Sequence, residues 1–479
     1  MSKRILILCE AIAPPAFSPR ILTLIEWLQD HDWQCVLITE ECTEQAFHTD
    51  ICPTYQMPFY NHILRDKLCW GKDKALYRFA EQMVDVSSFD IIFCSSYYYF
   101  PLYAAHLLAQ KYHLPLVVDL RDIAEQWGDN AYFTRKITPF KKLNYLIGKI
   151  YERKQLRIRN HVIRHANAVT SVSPWHQKTL AQYNKNSHLI YNGYDALVFT
   201  PKDITSDFFY ITYLGKLYST HLRDPRLLFD ALRQLAEEKK IDENLVKVLF
   251  HTDSDGMLQL NELGQTYNIM QMLNIHGYIP RHEILPIMHQ SSILLVLTTQ
   301  STPKGTHGIM GTKFFENIGV EKPILCVRSD EECIADAIQK TNAGLAATHV
   351  EEVKQFICDK YQEWLQRGYT RQHVINKEQF TRQHEAEQFE KLFSKGIHKE
   401  ILEKVTNAQL AYDLMWKTAK EVGSSIGGIL QKVDNFIKNL PDTNEMGDLM
   451  EKLPKEWEAV KNDYNNIIGN KLPKEGDKE

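Results

Sequence analysis

The stretch Gly311-Thr312-Lys313-Phe314-Phe315-Glu316, followed within a few residues by Pro323-Ile324-Leu325-Cys326-Val327, contains one full step of the pattern that decides this fold. Gly311 supplies a backbone turn with no side chain in the way, and a helix then starts. Lys313 and Glu316 fall three apart on one helical face, and an apolar strand follows the helix. A helix N-terminus carries unpaired N–H groups and a positive dipole end, which together can hold a phosphate. A carboxylate one turn further in is placed to hold a pair of sugar hydroxyls. The arrangement suits a nucleotide with a ribose and a diphosphate.

The same alternation runs outward from that stretch in both directions. Upstream, the apolar runs Phe209–Leu214, Val246–His251 and Ile293–Leu297 read as strands, with a strand also expected within Ile269–His276. Helical patterns over Asp224–Lys239, Met257–Tyr267 and Glu283–His289 separate them, and Asp330–Thr341 and Val350–Arg367 follow as helices. The first part of the chain repeats the scheme, with runs at Arg4–Cys9, Gln34–Thr39, Asp90–Ser95, Leu116–Leu120, Val169–Val172 and His188–Tyr191, and helices over Arg20–His31 and Pro101–Tyr112. Continuous apolar strands between helices mark parallel sheets covered on both faces. The expected class is therefore α/β, with two Rossmann-like doubly wound domains facing each other across a cleft. The predicted boundaries are 1–203 and 204–375, with a helix at 376–395 returning to the first domain. A helical extension over 396–479 ends in a charged, disordered stub.

Composition bounds the function. The 479 residues leave room for two domains of ordinary size and an appendage, and 44% hydrophobic with 24% charged residues is usual for a globular protein. A formal charge of −4 gives no reason to expect nucleic acid as a partner. The nine cysteines form no C-x-x-C pair, and Cys9, Cys94 and Cys326 lie inside apolar strands, which reads as reduced core thiols and a cytoplasmic location. No run approaches the length of a membrane span, and no metal site is expected. From about Ile397 onward the chain has no arginine and no cysteine, and its role there is open to protein contacts.

Several ordered segments resemble the retaining glycosyltransferases of family 4, which have the two-Rossmann-domain GT-B architecture. The resemblance covers about residues 3–395. It rests on Leu116–Asp122, on Ala168–Ser173 and Tyr191–Asp195, on Tyr213–Lys216 followed by Arg223-Asp224-Pro225, on Gly277–Pro280, and on Gly311–Glu316. The resemblance implies a nucleoside diphosphate sugar donor in the second domain, held by Gly215, Lys216, Arg223, Gly311, Thr312, Lys313 and Glu316. It assigns Lys216 and Arg223 to the diphosphate and Glu316 to the ribose. It implies catalysis without cofactor or metal, with Asp122 beside Lys216 and Arg223 as the catalytic set, and Ser18, Arg20, Asp119 and Arg121 on the acceptor side. A front-face transfer in which the leaving phosphate takes the acceptor proton fits the absence of a nucleophile–base pair.

The family often has an earlier glutamate, eight positions before Glu316. Here that position is Gly308. An Arg–Asp pair bracing the loop after Leu120 is the competing reading of Asp119, Arg121 and Asp122. His106 reads as a core histidine, and Asn192 and Gly193 as turn formers. The expected acceptor is a saccharide or lipid-linked glycan of cell-surface polysaccharide synthesis. Nucleotide-sugar epimerisation, phosphorolysis and a non-catalytic scaffold stay open beside it. The segment Thr134–Arg164 carries ten basic residues against the single acid Glu152, with apolar residues interleaved. It reads either as a helix lying on an anionic membrane surface or as one packing its apolar stripe on its own domain.

Overall fold

A computed structural model describes residues 2–10, 12, 19–41, 51–60, 71–128, 141–217, 222–298, 305–328 and 332–397. Ser18, the start of the basic segment at 134–140 and the tail at 398–479 lie outside them. Residues Arg4–Ile397 form one compact unit built around two sheets.

The first sheet comprises β1 (Lys3–Cys9), β2 (Trp33–Glu40), β3 (Thr54–Met57), β4 (Ile91–Ser96), β5 (Leu116–Leu120), β6 (Ala168–Ser171) and β7 (Ser187–Leu189), in the order β3-β2-β1-β4-β5-β6-β7. The second comprises β8 (Phe209–Leu214), β9 (Val246–His251), β10 (Leu273–His276), β11 (Ile293–Leu297), β12 (Ile324–Val327) and β13 (Gly344–Ala347), in the order β10-β9-β8-β11-β12-β13. Strand pairs β1·β4, β4·β5, β8·β9 and β11·β12 are parallel. Both orders reverse direction beside their first strand, which opens a crevice at the carboxyl ends of the strands. The central strands β4, β5 and β11 are buried along their whole length, as the unbroken apolar runs require.

The edge strands β3 and β13 were not expected. Thr54–Met57 is polar and Gly344–Ala347 is small, so neither looks like a buried strand, and each takes part in only one pairing. The helices covering the sheets include α1 (Pro19–Asp30), α2 (Gly71–Met83), α3 (Leu102–Tyr112), α4 (Lys141–His165) and α5 (Pro174–Leu180) in the first domain. The second has α6 (Arg226–Glu237), α7 (Ser254–Thr266), α8 (Arg281–Gln290), α9 (Thr312–Val320), α10 (Glu332–Thr341) and α11 (Val350–Arg367).

The return helix α12 occupies 382–397, starting later than expected because Asn376 is left-handed and Thr381 caps the helix, its Oγ1 accepting from His384 N at 3.1 Å. It completes the first domain's core. Phe389 and Phe393 are fully buried and meet the Phe93 ring at 5.1 Å each, while Trp27 Nε1 donates to Glu390 at 2.9 Å. Burying the two rings contributes roughly 3–5 kcal/mol apiece by the usual cost of truncating a core phenylalanine. Cys9, Cys94 and Cys326 are buried free thiols, and His106 is a buried core histidine, pushed down to about 4 by burial and by the nearby His161 and His165. No helix of the described residues is long and apolar enough to cross a membrane.

Candidate functional site in the interdomain cleft

The carboxyl ends of the two sheets enclose a cavity of about 570 Å³ lined from both domains. Its C-terminal wall is made by the loop after β8, the segment before α6 and the start of α9. Tyr213 Oη donates to Lys216 O at 3.0 Å, and Leu217 N donates to Thr252 Oγ1 and Asp253 Oδ1 at 3.0 and 3.1 Å, so the loop carrying Gly215 and Lys216 is pinned at both ends. Asp224 is buried and accepts from Arg226 Nε and Nη2 at 2.8 and 2.7 Å, which fixes the backbone next to Arg223. Helix α9 begins at Gly311 with no side-chain cap, leaving its first N–H groups toward the cavity with Gly311, Thr312 and Lys313 in the lining. Its other face buries Phe314, Phe315 and Ile318, which sets the helix against the sheet.

The N-terminal wall continues β5. Arg121 N and Asp122 N donate to Ser96 O and Tyr97 O at 3.0 and 3.2 Å, extending the strand pairing into the cleft. The Arg121 guanidinium lies 3.7 Å above the Tyr97 ring, with Nε and Nη2 buried and unpartnered. Asp122 lines the cavity and accepts from Gln126 Nε2 at 3.1 Å. Burial outweighs that bond and the charge of Arg121 and pushes its carboxyl up to about 6.

Asp119 is a correction to the acceptor-side expectation. It is fully buried and absent from the cavity lining, accepting from Arg20 Nε and Nη2 at 3.2 and 3.0 Å, from Ser95 Oγ at 2.9 Å and from Thr170 Oγ1 at 2.7 Å. The bracing pair is thus Arg20–Asp119 rather than one within Asp119–Asp122. Arg20 also donates to Ile190 O and Tyr191 O and reaches Glu385 Oε1 at 2.7 Å, so its charge is spent within the fold even though part of it borders the cavity. Glu316 does not line the cavity. It sits one turn into α9, paired with Lys313 at 3.0 Å.

Other lining residues had no recognisable signal. Glu385 and Arg382 come from α12, and Arg382 Nε donates to Gly193 O at 3.2 Å. Burial pushes the Glu385 carboxyl up to about 7, against the pull of Arg20, and neither of its oxygens finds an aligned donor. Gly193 is more than a turn residue: a Cβ there would come within 2.6 Å of Arg382 N, where the chain returns between domains. His307 N donates to Gln126 O at 2.9 Å and its ring stacks on Trp175 at 5.3 Å, joining the loop before α9 to the opposite wall. Gly308, next along, has φ +70° and would place a Cβ 3.0 Å from Ser173 Oγ and Trp175 Cβ. Any side chain there sits in left-handed backbone and presses on Ser173 and Trp175, so glycine is the residue that fits this loop without strain.

The family model described as Glycosyltransferase Family 4 matches residues 19–196, so the resemblance read from the motifs holds over the N-terminal domain. A sucrose-phosphate synthase from Thermosynechococcus elongatus superposes with a TM-score of 0.55 at 12% identity, covering 82% of this chain and 98% of that one. A glycosyltransferase from Rickettsia africae gives 0.54 at 13%, covering 83% and 99%. Anabaena HepE, in complex with UDP and glucose, gives 0.54 at 15%, covering 82% and 100%. The architecture is GT-B. No curated protein sequence matches the chain. The GT-B fold places the described cavity between its two domains, with Lys216, Arg223 and Lys313 on one wall and Asp122 on the other.

Proposed function

We propose that the chain is a retaining glycosyltransferase that moves a hexose or related sugar from a nucleoside diphosphate donor to a hydroxyl acceptor. The observation that carries this reading is the convergence of Lys216, Arg223 and Lys313 with the uncapped start of α9 on one cavity wall, opposite Asp122. As the bond between the anomeric carbon and the phosphate oxygen breaks, negative charge grows on the diphosphate. Fixed cations and a helix N-terminus beside it lower that barrier. The acceptor oxygen bonds the anomeric carbon on the same face, and its proton passes to the departing phosphate oxygen. Asp122, ionised above about pH 6, orients the acceptor hydroxyl and steadies positive charge on the sugar. Glu316, one turn into α9 and off the cavity wall, pairs with Lys313 at 3.0 Å and orients it beside the phosphates. The positive charge of the wall takes the part a metal ion plays elsewhere, so the proposed reaction uses no cofactor and is insensitive to chelators.

HepE binds UDP and glucose, which supports a uridine nucleotide as the first donor to try. The proposed setting is cytoplasmic synthesis of a cell-surface polysaccharide or lipid-linked glycan. A thermal-shift panel of uridine, guanosine and adenosine diphosphates tests the donor wall: stabilisation by one of them is expected, and stabilisation by none sinks the assignment. Labelled nucleotide sugars with saccharide and lipid-linked acceptors then test the reaction. Label recovered only in an altered nucleotide sugar would replace transfer with epimerisation.

A further inference from the structure

Helix α4 turns its greasy residues outward. Leu143, Leu146 and Ile150 are 42%, 56% and 59% exposed. Their spacing of three and four puts them on one helical stripe. The buried side of the helix is carried instead by Gly148, Ile158, Val162 and Ile163. Of the two readings of this segment, packing of the apolar stripe on its own domain does not describe the first half of α4.

Cations border the exposed stripe. Lys142, Arg153 and Arg157 are exposed on the same face, by the same spacing. The lone acid, Glu152, is taken up by Lys149 at 3.1 Å. A water-facing helix has no use for an apolar stripe, and an acidic protein surface would leave it uncovered. A bilayer with anionic headgroups satisfies both, taking the side chains into the acyl boundary and the cations at phosphate level.

The far half of α4 reaches the cleft. Arg159, fully buried, donates from Nη1 and Nη2 to the two Glu125 oxygens at 2.6 and 2.5 Å. Glu125 lies next to Gln126, which holds Asp122 and accepts from His307 N. Along the helix, Ile150 and Arg159 are about 14 Å apart. We infer that the exposed face of α4 docks on an anionic lipid surface and sets the acceptor-side wall of the cleft close to that surface. The docking face stands whether or not sugar transfer is the reaction, which the nucleotide thermal-shift panel tests separately.

The full chain is floated with vesicles of phosphatidylcholine alone and of phosphatidylcholine with phosphatidylglycerol. Flotation with the anionic vesicles only, falling as salt is raised, is expected. Arg153→Gln and Arg157→Gln each weaken it about fivefold. Leu146→Glu with Ile150→Glu weakens it at least about tenfold, with the circular dichroism spectrum and the nucleotide-induced thermal shift kept. No flotation, equal flotation on neutral vesicles, or variants that float like the parent would each overturn the inference. So would loss of a dimer, seen by light scattering, in the Leu146→Glu and Ile150→Glu variant without any change in lipid binding, because the face would then cover a second copy of the chain.

Discussion

On the N-terminal side of the cleft, Arg20, Asp119 and Glu385 are buried against one another, whereas on the C-terminal side Lys216 is exposed and Arg223 and Lys313 are half-exposed. Charge is present on both walls, but its surroundings differ. The first set has lost its water and is held by strand neighbours and carbonyls, so its removal is felt by the fold. The second stays in contact with water, so its removal costs the fold little, and under the proposed function the loss falls on binding and rate. Position in the cleft therefore does not by itself separate the two sets of charges; their burial does.

The sharpest way to break this contrast is Asp119→Ala. It takes the acceptor from Ser95 and Thr170 and one of its two carboxylate partners from Arg20, and should lower stability by about 3–5 kcal/mol, read from denaturant unfolding. A change within about 0.5 kcal/mol would mean the network is not structural. Lys216→Ala and Arg223→Ala should do the reverse, each lowering kcat by roughly 10²–10³-fold while the melting temperature holds. Asp122→Asn should cost about 10²-fold in kcat/KM. In the parent, kcat/KM should rise with pH through about 6, because the ionised carboxylate is the active form and burial has lifted its pKa to there. A profile unchanged by the substitution would remove Asp122 from the mechanism.

A smaller effect concerns Glu385. Its folded pKa, about 7, lies above the ordinary 4.5, so the native state holds its proton more tightly than the unfolded chain does. That contribution is present at acid pH and is lost as pH rises from about 4.5 to about 7. Glu385→Gln should flatten the stability curve in that window, and an unaltered slope would place the titration elsewhere. Smallest is Gly308→Ala, expected to cost about 1–2 kcal/mol for an alanine in left-handed backbone, checked by thermal melting. A neutral result would show that the loop before α9 can retreat from Trp175.

The elements and the site were legible to different depths. The unbroken apolar runs revealed the buried central strands, because only a sheet covered on both faces needs them. The edge strands β3 and β13 escaped, since a strand paired on one side needs neither length nor greasiness. Lys216, Arg223 and Gly311–Lys313 were visible as loop cations and a helix start, and they line one cavity. Asp119 was misplaced because its fate depends on register: β5 sets it opposite Ser95 and Thr170, whose hydroxyls then consume it.

The sequence alone thus determined the class of fold, the two-domain order and the cations that line the C-terminal wall of the cavity. These follow from local periodicity and from residues that sit where a strand ends. Tertiary structure alone decided which charges are buried within the fold and which border the cavity on its water-facing side. It brought Glu385 from α12 beside Arg20 across more than three hundred residues, stacked His307 on Trp175, and turned the apolar stripe of α4 outward. Pairing, burial and exposure are properties of what packs against a residue, and no pattern along the chain encodes its neighbours in space.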